Sequence, residues 1–88
     1  MEVKLLEEAD EHLLFWKKSG NTSIQKKIQQ LLHSIEESPQ AGIGKPEALK
    51  HNLSGLWSRR INQEHRMIYE IDEDNNQIVI HSLKGHYR

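Results

Sequence analysis

Residues 56–83 read LWSRRINQEHRMIYEIDEDNNQIVIHSL. Apolar and polar side chains alternate through Leu56–Ile61, Met67–Asp72 and Gln77–Leu83, the period of two that marks β-strands. The intervening pieces, Asn62–His65 and Glu73–Asn76, are polar and short, so the three strands are expected to form an antiparallel meander. Alternation places Trp57, Arg59 and Ile61 on one face of the first strand. Leu56, Ser58 and Arg60 take the other.

Upstream the period changes. Ile24, Ile28, Leu31, Leu32 and Ile35 fall on one helical stripe, and Thr22-Ser23-Ile24-Gln25 reads as a capping box with Thr22 as cap. Ser38-Pro39 closes this helix. An earlier stripe of Ala9, Leu13 and Trp16 carries acids in its first turns and Lys17-Lys18 in its last, the order that complements the helix dipole. Gly20 ends it, and the short Gly20-Asn21 turn implies a helical hairpin. Val3–Leu6 reads as an opening strand. Residues 39–55 hold both prolines and three of the five glycines, a long connection of the kind that is more often functional than idle. The expected fold is α+β in the order β-α-α-β-β-β. One domain over residues 1–88 has two helices covering one face of an antiparallel sheet.

Composition narrows the function classes. The 88 residues carry 12 basic and 13 acidic side chains, but the sum of −1 hides a split. Residues 44–66 are net +3, through Lys45, Lys50, Arg59, Arg60 and Arg66 against Glu47 and Glu64, while the flanking stretches are each net −2. A basic island of this kind attracts phosphate. The absence of cysteine removes disulfides, thiol nucleophiles and thiolate metal sites. The longest apolar run, Leu13–Trp16, is far short of the ~20 residues that span a membrane. No secretory leader opens the chain, so a cytoplasmic protein without a membrane partner is expected. Only 35% of the residues are apolar, and a core that thin leans on a partner or on self-association.

Cleaving RNA with side chains alone needs a base for the 2′-hydroxyl, an acid for the departing 5′-oxygen, and cations around the phosphorane. Glu47 is the one carboxylate in the glycine- and proline-rich part of the island, where it is a candidate base. His86, with Tyr87 beside it, is a candidate acid, and Arg66 a candidate phosphate clamp. Each also fits a plainer role: Glu47 as a solvated loop carboxylate, His86 as part of a frayed terminus. His12 and His33 are expected at the surface of their helices, His65 in a hairpin turn, and His81 as a buried, satisfied strand histidine. No histidine or carboxylate spacing suits a metal, and Asp72–Asn76 lacks the glycine and distal glutamate of a calcium loop.

The run GKPEALKHNLSGLWSRRINQEHRMIYEI, residues 44–71, closely resembles the YoeB/Txe family of bacterial toxins within the RelE-type superfamily. The likeness extends through Trp16 to the closing KGHY. It implies a RelE-like microbial RNase fold and a ribosome-dependent endoribonuclease that cuts messenger RNA without a cofactor and halts translation. Carried over by position, Glu47 of KPE matches the general base, Arg66 of EHR the phosphate-binding arginine, and His86 the general acid, with Tyr87 supporting it. Lys50 and Arg60 match basic positions expected to contact RNA, and Arg59 joins them as an RNA-binding candidate. The implied partners are a cognate antitoxin, the ribosome with its mRNA, and operator DNA only as part of the antitoxin complex. A homodimer is a further option. Two rival readings remain: a topoisomerase-poisoning toxin of the same fold, which does not need the Glu, Arg and His set, and a non-catalytic nucleic-acid-binding co-repressor.

Overall fold

The computed structural model describes residues 1–85. His86 and Tyr87, the expected acid and its aromatic neighbour, lie outside the described residues. The order is β1 (Glu2–Leu5), α1 (Glu7–Ser19), α2 (Thr22–Glu37), β2 (Glu47–Ala48), one 3-10 turn at His51–Leu53, β3 (Leu56–Arg60), β4 (Arg66–Asp72) and β5 (Gln77–Ser82). The strands form one sheet in the order β1-β5-β4-β3-β2.

The meander of β3, β4 and β5 is antiparallel as expected, but the sheet as a whole is mixed. β1 joins the β5 edge in parallel, Glu2 opposite Gln77 and Leu5 opposite Ile80. No turn connects these two strands; a chain that leaves β1 into a helical hairpin is the long crossover that a parallel pair requires. A second departure from expectation is β2. Its two residues pair antiparallel with β3, Glu47 opposite Ser58 and Ala48 opposite Trp57. Glu47 therefore sits on an edge strand and not in a free loop.

The helices form where the apolar stripes lie. α1 buries Ala9 and Trp16, and α2 buries Ile24, Ile28, Leu31 and Ile35. These meet Ile61, Met67, Tyr69, Ile78, Ile80 and Leu83 in a single apolar core on one face of the sheet. Gly20 (φ 72°) ends α1 in the left-handed conformation. The cap of α2 is one residue earlier than expected. Asn21 Oδ1 accepts from the Ile24 amide at 3.1 Å, and Thr22 is the first helical residue. Gln25 then falls one position too late to close a capping box; its amide donates instead to Trp16 O and Asn21 O. No helix among the described residues is long and apolar enough to cross a membrane.

Candidate active site

Strand alternation splits the adjacent arginines of β3. Arg59 points to the helix-covered face and is fully buried. All five of its N–H donors are used: Nε to Tyr69 Oη, Nη1 to Ser34 Oγ and Ile43 O, and Nη2 to Ser38 O and Ala41 O, at 2.6–3.0 Å. Tyr69 in turn donates to Pro39 O at 2.7 Å. None of these acceptors is a carboxylate. A buried cation is held by carbonyl and hydroxyl dipoles, each bond stronger than a neutral one because the donor is charged. The expectation that Arg59 binds RNA is therefore corrected. No donor is left for a phosphate, and no surface exposes one.

What Arg59 holds is the connection from α2 to β2. Its guanidinium gathers Ser38, Ala41 and Ile43, and at Gly42 a Cβ would collide with Ser34 Oγ, a partner in the same network. Gly44 (φ 82°) passes so close to α2 that a Cβ would lie 2.6 Å from Leu31 Cδ2, while its carbonyl accepts from the Arg60 amide at 2.7 Å. Chain direction into Lys45-Pro46-Glu47 is thus set from behind by packing against the core.

The open face receives the reactive types. Arg60 stands directly opposite Arg66 across β3 and β4, and Glu47 lies opposite Ser58 one strand over. Lys45, Glu47, Leu49, Ser58, Arg60 and Arg66 line one pocket of about 170 Å³. Like charges placed directly opposite on a sheet repel, so the Arg60–Arg66 pair costs stability unless an anion lies between them. Arg66 Nη1 is steered by backbone carbonyls of the β3–β4 turn, at 2.6 Å from Asn62 O and 3.2 Å from His65 O. Among the described residues, Glu47, Lys45 and Arg60 have no side-chain hydrogen bond or ion pair. The pocket thus combines one carboxylate with three cations and ample water access.

Lys50 is exposed at the start of the 3-10 turn and lines an adjoining groove with Glu47 and Leu49. On the other side, Lys27, Gly44, Lys45, Arg60, Ile61, Asn62 and Gln63 line a shallow groove free of acidic residues. Lys27 comes from α2, in the stretch of sequence that is net acidic, and only the packing of α2 on Ile61 brings it to the basic island. Spacing offered no hint of it. The larger hollows at residues 37–41 and at the start of α2 contain neither Glu47 nor Arg66.

His33 is exposed and His65 lies in the β3–β4 turn, both as expected, while His12 departs from expectation. His12 is not a free surface side chain, since its Nδ1 accepts from the Leu83 amide at 3.1 Å. His65 Nδ1 accepts from the Gly85 amide at 2.9 Å. His81 is satisfied, but by Glu70 Oε1 at 2.8 Å in a part-exposed pair. Among the described residues no group of three His, Asp or Glu side chains could hold a metal ion. Gly85 O accepts from the Arg66 amide at 2.8 Å, so the described chain ends at the Arg66 side of the pocket.

Comparison with known proteins gives a consistent result. Residues 6–87 match the family described as the YoeB-like toxin of bacterial type II toxin-antitoxin system. Toxin YoeB of Escherichia coli K12 is 43% identical over 81 residues, covering 92% of this chain and 93% of the relative. The solved YoeB dimer from Staphylococcus aureus superposes with a TM-score of 0.87 at 42% identity, covering 99% of this chain and 98% of that one. The YoeB-YefM complex from the same organism gives 0.85 at 43% identity, with the same coverage.

Proposed function

The chain belongs to the YoeB-like toxin family of bacterial type II toxin-antitoxin systems, and from that premise we propose that it is a ribosome-dependent messenger-RNA endoribonuclease. The observation that carries the reading is the open-face pocket, where Glu47 shares a 170 Å³ space with two arginines set opposite each other. Such an arrangement suits a phosphate that becomes more negative as it reacts.

In this reading Glu47 takes the proton of a 2′-hydroxyl, and the 2′-oxygen forms a bond to phosphorus. The bond from phosphorus to the 5′-oxygen breaks, leaving a 2′,3′-cyclic phosphate. His86, which follows Gly85 directly in the chain, gives its proton to the departing 5′-oxygen, with Tyr87 beside it. Arg66 and Arg60 carry the charge of the phosphorane, and its guanidinium orientation makes Arg66 the clamp. Lys50 and Lys27 flank the pocket as contacts for neighbouring phosphates. These side chains supply the whole reaction, and no cofactor is called on. The 2′-hydroxyl as nucleophile restricts the chemistry to RNA.

The partners follow from the same family. The Staphylococcus aureus toxin is solved both as a dimer and bound to YefM, which supports a cognate antitoxin and a homodimer for this chain. Ribosome and mRNA are the targets, operator DNA is met only with the antitoxin, and residues 1–88 act as one cytoplasmic domain. A co-repressor without catalysis would have no use for Glu47 in a pocket of cations. The test is single-turnover cleavage of mRNA on programmed ribosomes. Glu47→Ala is expected to lose ~10²–10⁴-fold, the range of a general base, with its antitoxin affinity and thermal midpoint unchanged. Undiminished cleavage by Glu47→Ala would sink the proposal.

A further inference from the structure

The described residues after β5, Leu83–Gly85, belong to no strand, yet they are held at several points. Leu83 N–H donates to His12 Nδ1 at 3.1 Å, and Leu83 O accepts from Trp16 Nε1 at 2.9 Å. Ser82 Oγ donates to Lys84 O at 3.1 Å. Gly85 is bonded on both sides, its N–H to His65 Nδ1 at 2.9 Å and its carbonyl to the Arg66 N–H at 2.8 Å. Side chains of α1 and the β3–β4 turn, together with the first amide of β4, thus hold this segment in place. A backbone N–H can only donate, so each histidine must present an unprotonated Nδ1.

His65 is the better placed of the two. Its ring lies edge-on against Trp16, centroids 4.8 Å apart at 75°, and its side chain is only 16% exposed. Trp16 is itself 5% exposed and tied to Leu83. His65 therefore has one rotamer braced by the core and one acceptor aimed at the residue just before His86. It also neighbours Arg66 in sequence, so the same turn fixes the proposed clamp and the root of the proposed acid.

We propose that His65 is a positioning residue: its Nδ1 bond fixes Gly85, whose carbonyl accepts from the Arg66 amide, and so sets the point from which the chain continues to the proposed acid, His86. The inference rests on the acid role given to His86 above. A bond of this kind contributes geometry more than affinity, and a displacement of an ångström at a reacting group costs on the order of 10²-fold in rate.

Four variants test it, in single-turnover cleavage on programmed ribosomes. His65→Ala is expected to lower the rate at saturation roughly 10- to 100-fold, with half-saturation and antitoxin affinity unchanged. His65→Asn, whose Oδ1 stands at the same point along the side chain as Nδ1, should recover most of it. His65→Gln, with its acceptor one bond further out, should not. In a His86→Ala background, His65→Ala should cause no additional loss, because the two act as one unit. Amide hydrogen exchange gives a readout independent of activity: Gly85 should be protected in the parent and His65→Asn, and unprotected in His65→Gln. Should His65→Ala fail to fold, the Asn and Gln pair decides alone. Full activity of His65→Ala or His65→Gln beside an inactive His86→Ala overturns the inference and leaves the proposed function standing. A full extra loss on top of His86→Ala also overturns it. Full activity of His86→Ala overturns instead the acid assignment from which the inference starts.

Discussion

Arg59 and Arg60 are neighbours in sequence and opposites in use. On the helix-covered face, Arg59 is fully buried and spends all five donors on loop carbonyls, Ser34 and Tyr69. On the open face, Arg60 is exposed, stands opposite Arg66 and shares a pocket with Glu47. On the covered face every buried side-chain polar atom among the described residues has a partner, as burial demands. On the other, Glu47, Lys45 and Arg60 have no side-chain partner among the described residues and Arg60 stands opposite Arg66, which folding alone would not favour. Unsatisfied charge on a rigid strand is what a reacting phosphate can use. The covered face holds the loop in place, and the open face presents what that loop carries.

The sharpest way to break this contrast is Arg59→Ala. Three carbonyls, a serine and a tyrosine would lose a charged donor inside the protein, each at about 1–3 kcal/mol when left unpaired. Relaxation of the loop recovers part of that, so a loss of about 3–5 kcal/mol in chemical denaturation is expected. Arg59→Lys should do little better, since one ammonium cannot reach acceptors arranged around a planar fork. Arg60→Lys, by contrast, should leave stability unchanged within ~0.5 kcal/mol. Equal stability losses for the two lysine variants would erase the distinction between the faces.

A smaller effect sharpens the open-face side. Lys27 and Arg60 line the same acid-free groove, so each should add one phosphate contact. Binding of single-stranded RNA or of ribosomes is expected to lose steepness in log affinity against log salt, by about 0.7 per removed cation on single strands. Lys27→Ala and Arg60→Ala should show it, and His33→Ala, exposed elsewhere on α2, should not. An unchanged slope for Lys27→Ala would remove that residue from the track. A drop seen with ribosomes but not with the free strand would assign the contact to ribosomal RNA.

Much of this was legible in the residues, and the failures have definite causes. Alternation placed β3, β4 and β5 because apolar side chains recur every second residue. It separated Arg59 from Arg60 but could not say which of them faced the helices, since both side chains are arginine. Whether Arg59 is buried depends on Ser34, Ser38, Ala41 and Ile43, which approach only after α2 has packed. β2 is two residues long, too short for any periodicity, so Glu47 read as loop. β1 and β5 share no turn, and nothing local specifies a parallel pairing. Lys27 joins the basic island through the stacking of a helix on Ile61, a contact with no trace along the chain. His12 read as a surface histidine, and the bond that His65 makes from its turn left no trace in the sequence, because their partners are backbone amides about 70 and 20 residues away.

The mildest test concerns the covered face at high pH. Burial raises the Tyr69 hydroxyl above its ordinary 10.0, and the bond and charge of Arg59 pull it back only in part. A group whose folded value lies above its unfolded one contributes stability that is complete below the unfolded value and disappears as pH climbs through the folded one. Stability should therefore fall above about pH 10, at up to ~1.4 kcal/mol per pH unit from this group. Tyr69→Phe lacks the ionisation. At pH 8 it should be less stable by roughly 1–2 kcal/mol, because Arg59 Nε and Pro39 O each lose a partner. With rising pH the gap between parent and variant should close, since only the parent must resist ionising a hydroxyl beside the core. Denaturant melts of both proteins from pH 8 to 11 measure this. A gap that stays constant would mean that Tyr69 ionises as readily folded as unfolded, and that the Arg59 network is wetter than its geometry requires.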